Sequence, residues 1–175
     1  MIKRKGTHLL LFENVLVIII AIIIAILIRT FIIHPFLVPT TSMESTILIG
    51  DNVLVEKVTY RFRSPEVGEI LVFNNPSGDG RKIIKRVLGV AGDHLEITED
   101  GHVVLNNENY KESYVIYQDI GQSFSYDIQD DTVFVLGDNR GNSQDSRWFG
   151  PIPENTIIGR AIFRHWPLNR FGFMD

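Results

Sequence analysis

The sequence predicts an all-β fold, a mostly antiparallel, barrel-like sheet body behind a single N-terminal transmembrane helix. Three observations carry this. Residues 15–28 are apolar without exception. Beyond His34 no long stretch keeps the 3.6-residue period of a helix. In its place come short β-branched and aromatic runs between Gly, Pro and Asn turn signals.

The apolar run extends back through residues 9–12 across Glu13 and Asn14, and forward through residues 31–33 across Arg29 and Thr30. Taken as one helix, residues 9–28 cover about 30 Å, the depth of a bilayer core. A cleaved leader would need a small-x-small site, but Arg29-Thr30-Phe31-Ile32-Ile33-His34-Pro35 follows. A core helix would keep a polar face, and residues 15–28 have none. The run therefore reads as a membrane anchor, with Arg29 snorkelling to the headgroups. It divides the chain into residues 1–33, a cytoplasmic N-terminus and anchor, and residues 34–175, an extracytoplasmic domain. Lys3-Arg4-Lys5 ahead of the helix keeps the N-terminus cytoplasmic. The expectation is a single-pass protein of the cell membrane.

Pro35 and Pro39 keep the linker extended. Strands are then predicted at residues 52–58 and 69–73, the second ended by Asn74-Asn75-Pro76. Ser77-Gly78-Asp79-Gly80 turns the chain into a strand at 82–90. Residues 95–98 and 102–105 form a hairpin about Asp100-Gly101. Further strands lie at 132–136, ended by Gly137, and at 157–164.

A chain of 175 residues, 45% hydrophobic, suits one packed domain with a short appendage. It has no cysteine, which removes disulfides, thiol nucleophiles and Cys-type zinc sites. Of 17 basic and 21 acidic residues, Lys3, Arg4, Lys5, Arg29 and Glu13 fall in residues 1–33, so the body carries net −7. An acidic body argues against nucleic acid as a partner.

Three stretches carry chemistry. Pro39-Thr40-Thr41-Ser42-Met43 offers a serine just beyond the anchor. Ile83-Ile84-Lys85-Arg86-Val87-Leu88 sets two charges in an apolar strand, with Ile83, Lys85 and Val87 on one face. An inward lysine can simply guard a sheet edge. It can also become a base, because burial disfavours the charged amine and lowers its pKa by several units. A neutral amine can then take a proton from a serine. Arg86 stays charged and needs an anion, with Asp138 a candidate. The third stretch is the loop Gly137-Asp138-Asn139-Arg140-Gly141-Asn142-Ser143-Gln144-Asp145-Ser146-Arg147. Its glycines and asparagines suit tight folding. Asp138, Asp145, Arg140 and Arg147 can pair, and Ser143 can orient the lysine. No Gly-x-Ser-x-Gly elbow is present. None of His8, His34, His94, His102 and His165 has metal-ligand spacing.

On these motifs the chain resembles the bacterial type I signal peptidases, membrane-anchored Ser/Lys endopeptidases that remove signal peptides, in their small Gram-positive form. The resemblance runs through the anchor and residues 39–50, 68–76, 83–93 and 137–151. It implies a Ser42 nucleophile and a Lys85 general base. It implies an oxyanion hole from the Thr40 hydroxyl and the Ser42 N–H, and Ser143 orienting the lysine. It pairs Asp145 with Arg147 and Asp138 with Arg86, and lines shallow substrate pockets with Phe36, Val38, Pro39, Met43 and Ile84. It implies no metal or organic cofactor. Its partners are preprotein signal peptides, the lipid bilayer and the export translocon. Trp166, Phe171 and Phe173 read either as interfacial aromatics or as core. One position departs: the family's Ser-Met-x-Pro carries Ser45 here, which loosens the turn after the serine and adds a second hydroxyl.

Other readings compete. A self-cleaving repressor type shares the Ser/Lys core but is cytoplasmic, and the anchor opposes it. A weakly active or inactive paralogue would bind exported chains without cutting them. A membrane-tethered structural β module leaves Lys85 and the 137–147 loop without a purpose.

Overall fold

The computed structural model describes residues 7–116 and 123–174, with side chains from Phe12 onward. Helix α1 (Thr7–Phe31) is about 37 Å long at 1.5 Å per residue. Its segment Phe12–Phe31 has mean hydropathy 2.8 and is not covered by the body at all. It is long enough and apolar enough to cross a bilayer. The cluster Lys3-Arg4-Lys5, on which the orientation rests, lies outside the described residues.

The last carbonyls of α1 find donors in the body. Lys57 Nζ donates to Thr30 O at 3.0 Å, Arg61 Nη2 to Phe31 O at 3.4 Å and the Lys57 N–H to Ile32 O at 2.9 Å. Cations suit a helix C-terminus, so the helix meets the body through a defined joint. The chain passes at once into β1 (Ile33–Leu37), antiparallel to β2 (Asn52–Glu56). The expected extended linker is thus an edge strand, where Pro35 costs no ladder hydrogen bond.

The body holds two sheets. The larger runs β1-β2-β11-β3-β4-β9-β10, using β3 (Ile70–Asn74), β4 (Lys82–Gly89), β9 (Thr132–Leu136), β10 (Ile152–Pro153) and β11 (Ile157–Trp166). Strand β12 (Gly172–Phe173) adds to β11. The smaller runs β7-β6-β5-β8, from β5 (His94–Ile97), β6 (Val103–Leu105), β7 (Glu108–Tyr110) and β8 (Phe124–Asp127). All pairings are antiparallel.

Neither sheet closes, so the body is not a barrel. The alternation along β9 gives the reason. Val133 and Val135 enter a cluster with Leu71, Phe73 and Val87, while Phe134 and Leu136 enter a second cluster with Leu88, Leu95, Ile97 and Val103. Side chains of the small sheet thus cover one end of the large one, a sheet-on-sheet solution that needs no closure. A third cluster joins Phe36, Val38, Met43, Ile47, Val53, Val55, Ile70, Val72 and Ile84 under the segment that carries Ser42.

Candidate active site

Ser42 sits where an exposed segment dives into the core. Thr40 is exposed, whereas Met43 and Ile47 are fully buried. Val38 ties off the base of the loop, donating to Asp51 O and accepting from the Gly50 N–H, both at 2.9 Å. The Ile47 N–H donates to Met43 O at 2.8 Å, and Asp51 Oδ2 accepts from the Leu48 N–H at 2.9 Å. Apolar anchors and backbone bonds therefore fix Ser42 from its C-terminal side.

Lys85 lies directly opposite Leu71 in the β3–β4 ladder, with Ile83 opposite Phe73. Its face is the apolar one that Val87 shares, and it is 2% exposed. Nζ donates to Ser42 Oγ at 2.5 Å and to Ile84 O at 3.0 Å. Ser42 Oγ lies 3.2 Å from Thr40 Oγ1. Burial pulls the Lys85 pKa down from the ordinary 10.5 to about 8. Asp145 and Asp138 oppose that shift and Arg147 adds to it. The chemistry available here is an amine near neutrality touching a hydroxyl that is itself 6% exposed.

The loop after β9 wraps this pair. The Asn139 N–H donates to Ser42 O at 3.1 Å, and Asn142 Nδ2 to Thr41 Oγ1 at 2.8 Å. Asp145 accepts from the Gly137 N–H at 3.0 Å and binds Arg147 at 2.8 and 2.9 Å through Nε and Nη2. Arg140 Nε donates to Gly137 O at 3.0 Å. Gly137 must lack a side chain, because a Cβ there would overlap Ser143 Oγ and come within 2.5 Å of Ser42 O.

Arg86 points to the opposite face from Lys85 and makes a two-pronged pair with Asp138, Nε to Oδ1 at 3.0 Å and Nη2 to Oδ2 at 2.9 Å. Both are buried. Thr46 Oγ1 also donates to Asp138 Oδ2, at 2.5 Å. Burial alone would lower the Arg86 pKa, and Asp138 reverses that. Removing one partner strands a buried charge, so Asp138→Ala is expected to cost about 3–5 kcal/mol of stability in chemical denaturation. A loss below about 1 kcal/mol would contradict this pairing as a support of the loop.

Two expectations meet a different placement. Ser143 Oγ is buried without a hydrogen-bond partner among the described residues. The two hydrogen bonds from Lys85 Nζ go to Ser42 and Ile84. Phe36, Val38, Met43 and Ile84 lie in the core beneath the serine, 0–8% exposed, and Pro39 is exposed. The open cleft of about 220 Å³ over Ser42 and Lys85 is lined instead by Thr40, Thr41, Asn75, Arg81, Ile83, Asn142, Gln144 and Phe149. Sequence reading passed over the contacts from far along the chain. Arg164 and Arg170 donate to Thr46 O and pair with Asp51, Tyr114 O accepts from Ser45 and Glu112 pairs with Arg140, contacts that no local pattern reveals.

The chain matches the family model "Signal peptidase, peptidase S26" over residues 11–166. It is 39% identical to a probable signal peptidase I-2 of Synechocystis sp. (strain ATCC 27184 / PCC 6803 / Kazusa), covering 88% of this chain and 72% of that protein. It is 37% identical to signal peptidase I of Leptolyngbya laminosa, covering 93% and 83%. Among solved structures, a signal peptidase I from Enterococcus faecalis V583 aligns with a TM-score of 0.50 at 26% identity, covering 56% of this chain and 97% of that one. With the family model spanning most of the chain, and these relatives aligned over 88% and 93% of it, the protein belongs to the signal peptidase family, peptidase S26.

Proposed function

We propose that this protein is a membrane-held endopeptidase that cuts signal peptides from exported preproteins, with Ser42 as nucleophile and Lys85 as general base. The observation that carries the reading is the 2.5 Å contact between the buried Lys85 amine and the Ser42 hydroxyl. Family membership supports the activity and the substrate class. Neutral Lys85 takes the Ser42 proton as Oγ attacks the scissile carbonyl. The Thr40 hydroxyl and the Ser42 N–H bind the oxyanion, each donor contributing about 3 kcal/mol. Lys85 gives its proton to the leaving amine, and the mature chain departs. Water deprotonated by Lys85 then releases the signal peptide from Ser42. Ser143 is assigned to orient the amine, Asp145–Arg147 and Asp138–Arg86 to hold the loop.

An extended substrate has an edge to pair with. Residues 82–85 of β4 pair with β3, while pairing of β4 with β9 begins at Arg86. One side of 82–85 is therefore free of any described strand, and it faces the cleft. Strand addition there would carry the scissile bond past Ser42. Small side chains before the cut would sit in the cleft against Ile83 and Phe149, past Pro39 and above the core of Phe36, Val38, Met43 and Ile84.

The N-terminus is assigned to the cytoplasm and the body to the outer face. Cross-strand register sets Pro35, Leu54, Phe163 and Phe173 in one row. Trp166, Leu168, Phe171 and Phe173 are all more than half exposed, which removes the core reading for these aromatics. The row begins on β1, the strand that follows α1, so the body would lie against lipid. The export translocon is assigned as a partner from family resemblance alone. Contact between base and hydroxyl favours cutting over binding without cutting.

The test is purified full-length protein in lipid with a labelled preprotein. One cut, after a small-x-small triplet by mass spectrometry, is expected; no cut would overturn the proposal. The pH profile adds a second check. The base works when neutral, so kcat/KM should rise with pH and level off above about 8, with about a tenth of the maximum at pH 7. A limb centred below 7 would point to another base.

A further inference from the structure

We propose that residues 112–114, in the connection leaving β7, form a strap that positions the Ser42 turn, with Ser45 as the residue it holds. This rests on the reading of Ser42 as nucleophile. Ser45 Oγ donates to Tyr114 O at 3.0 Å, across 69 positions of sequence. The Tyr114 ring covers the Arg86 guanidinium, 3.9 Å from ring centroid to carbon. Tyr114 Oη donates to Glu112 Oε1 at 2.9 Å, and the same carboxylate pairs with Arg140. The side chains of Arg140 and Glu112 are 3% and 5% exposed. Arg140 in turn holds Gly137 O, and its own carbonyl accepts from Arg147 Nη2 at 2.8 Å.

Glu112 and Tyr114 therefore reach all three segments of the site: the turn after Ser42, the strand of Lys85 and the loop 137–147. The small sheet, which contributes nothing to the cleft over Ser42, acquires a purpose in this way. Buried ion pairs add little net stability compared with apolar packing, but they fix geometry. Geometry is what a nucleophile needs, since a displacement of 1 Å can cost about a hundredfold in rate. Ser45 stands where the family pattern has a proline. A ring stiffens a turn from within by fixing φ; here the hydroxyl restrains the same turn from outside, through the strap. Ser45 and Tyr114 are positioning residues, acting through Ser42.

The experiment uses full-length protein in lipid and three variants: Ser45→Ala, Ser45→Thr and Glu112→Gln. Kinetics on a preprotein and hydrogen exchange at the Asn139 and Ile47 amides are read together. Ser45→Ala is expected to lower kcat about tenfold with KM within twofold, and to speed both amides at least fivefold. Ser45→Thr keeps the hydroxyl and should restore kcat to within threefold of wild type. Glu112→Gln should lower kcat and speed the Asn139 amide. Unchanged kcat in Ser45→Ala would overturn the strap, whether or not the melting temperature falls, and so would a rise in KM alone. If wild-type protein cuts no preprotein, the signal-peptide reading fails, and the exchange data still decide the strap: unchanged amides overturn it.

Discussion

Lys85→Met is expected to reduce preprotein cleavage by about 10⁴- to 10⁶-fold in kcat, the range for removing one member of a nucleophile–base pair. The protein should remain folded and lipid-bound, because methionine fills the same apolar slot against Leu71 and Val87. Its stability should equal or exceed that of wild type at pH 7. The folded-state pKa of Lys85 is about 8 against 10.5 unperturbed, so folding expels a proton between those values. The lysine therefore disfavours the folded state most below pH 8, by about 3 kcal/mol before its hydrogen bonds are counted. That cost fades as pH rises towards 10.5. Wild type minus variant should show this slope in denaturation midpoints between pH 8 and 10.5. Cleavage within tenfold of wild type would remove the lysine from the mechanism.

Ser42→Ala should be as damaging as Lys85→Met, and the double variant no worse than either, because the two groups act as a unit. The adjacent hydroxyl makes a sharp contrast. Ser42 Oγ contacts Lys85 Nζ, whereas Ser45 Oγ is committed to the Tyr114 carbonyl. Ser45→Ala should keep cleavage well above the Ser42→Ala level. Purified variants assayed on one preprotein decide the matter: a dead Ser45→Ala beside an active Ser42→Ala would move the nucleophile to Ser45.

Some of this was legible in the chain and some was not, for physical reasons. The N-terminal helix was legible because its apolar run has the length of a bilayer span, and the central strands because burial on both faces writes continuous apolar runs, as in Ile70–Asn74 and Thr132–Leu136. Lys85 was legible because a charge inside such a run is anomalous. Strand β7 was missed because Glu108–Tyr110 carries little apolar alternation, and β8 because the alternation of Phe124–Asp127 spans only four residues. The turn before β7 left a signal: Asn106 and Asn107 have φ of 53° and 69°, the left-handed pair of a two-residue hairpin. The barrel-like body expected from the strands takes the form of two open sheets, because strand count does not say whether a sheet closes or is covered. The open cleft could not be read either, since which neighbours of Ser42 line it depends on how the 137–147 loop crosses it. Thr41–Asn142 and Ser42–Asn139 are contacts between residues about a hundred positions apart.

The central claim is that one lysine gives up its proton near pH 8, within reach of the serine. Its most direct measurement is the titration of the Lys85 side chain in full-length protein, by NMR of ¹³C-labelled lysine with Lys85→Arg to assign the signal. A midpoint near pH 8, more than two units below the other lysines, is the predicted result. A midpoint above 10, with the exposed lysines, would contradict the account.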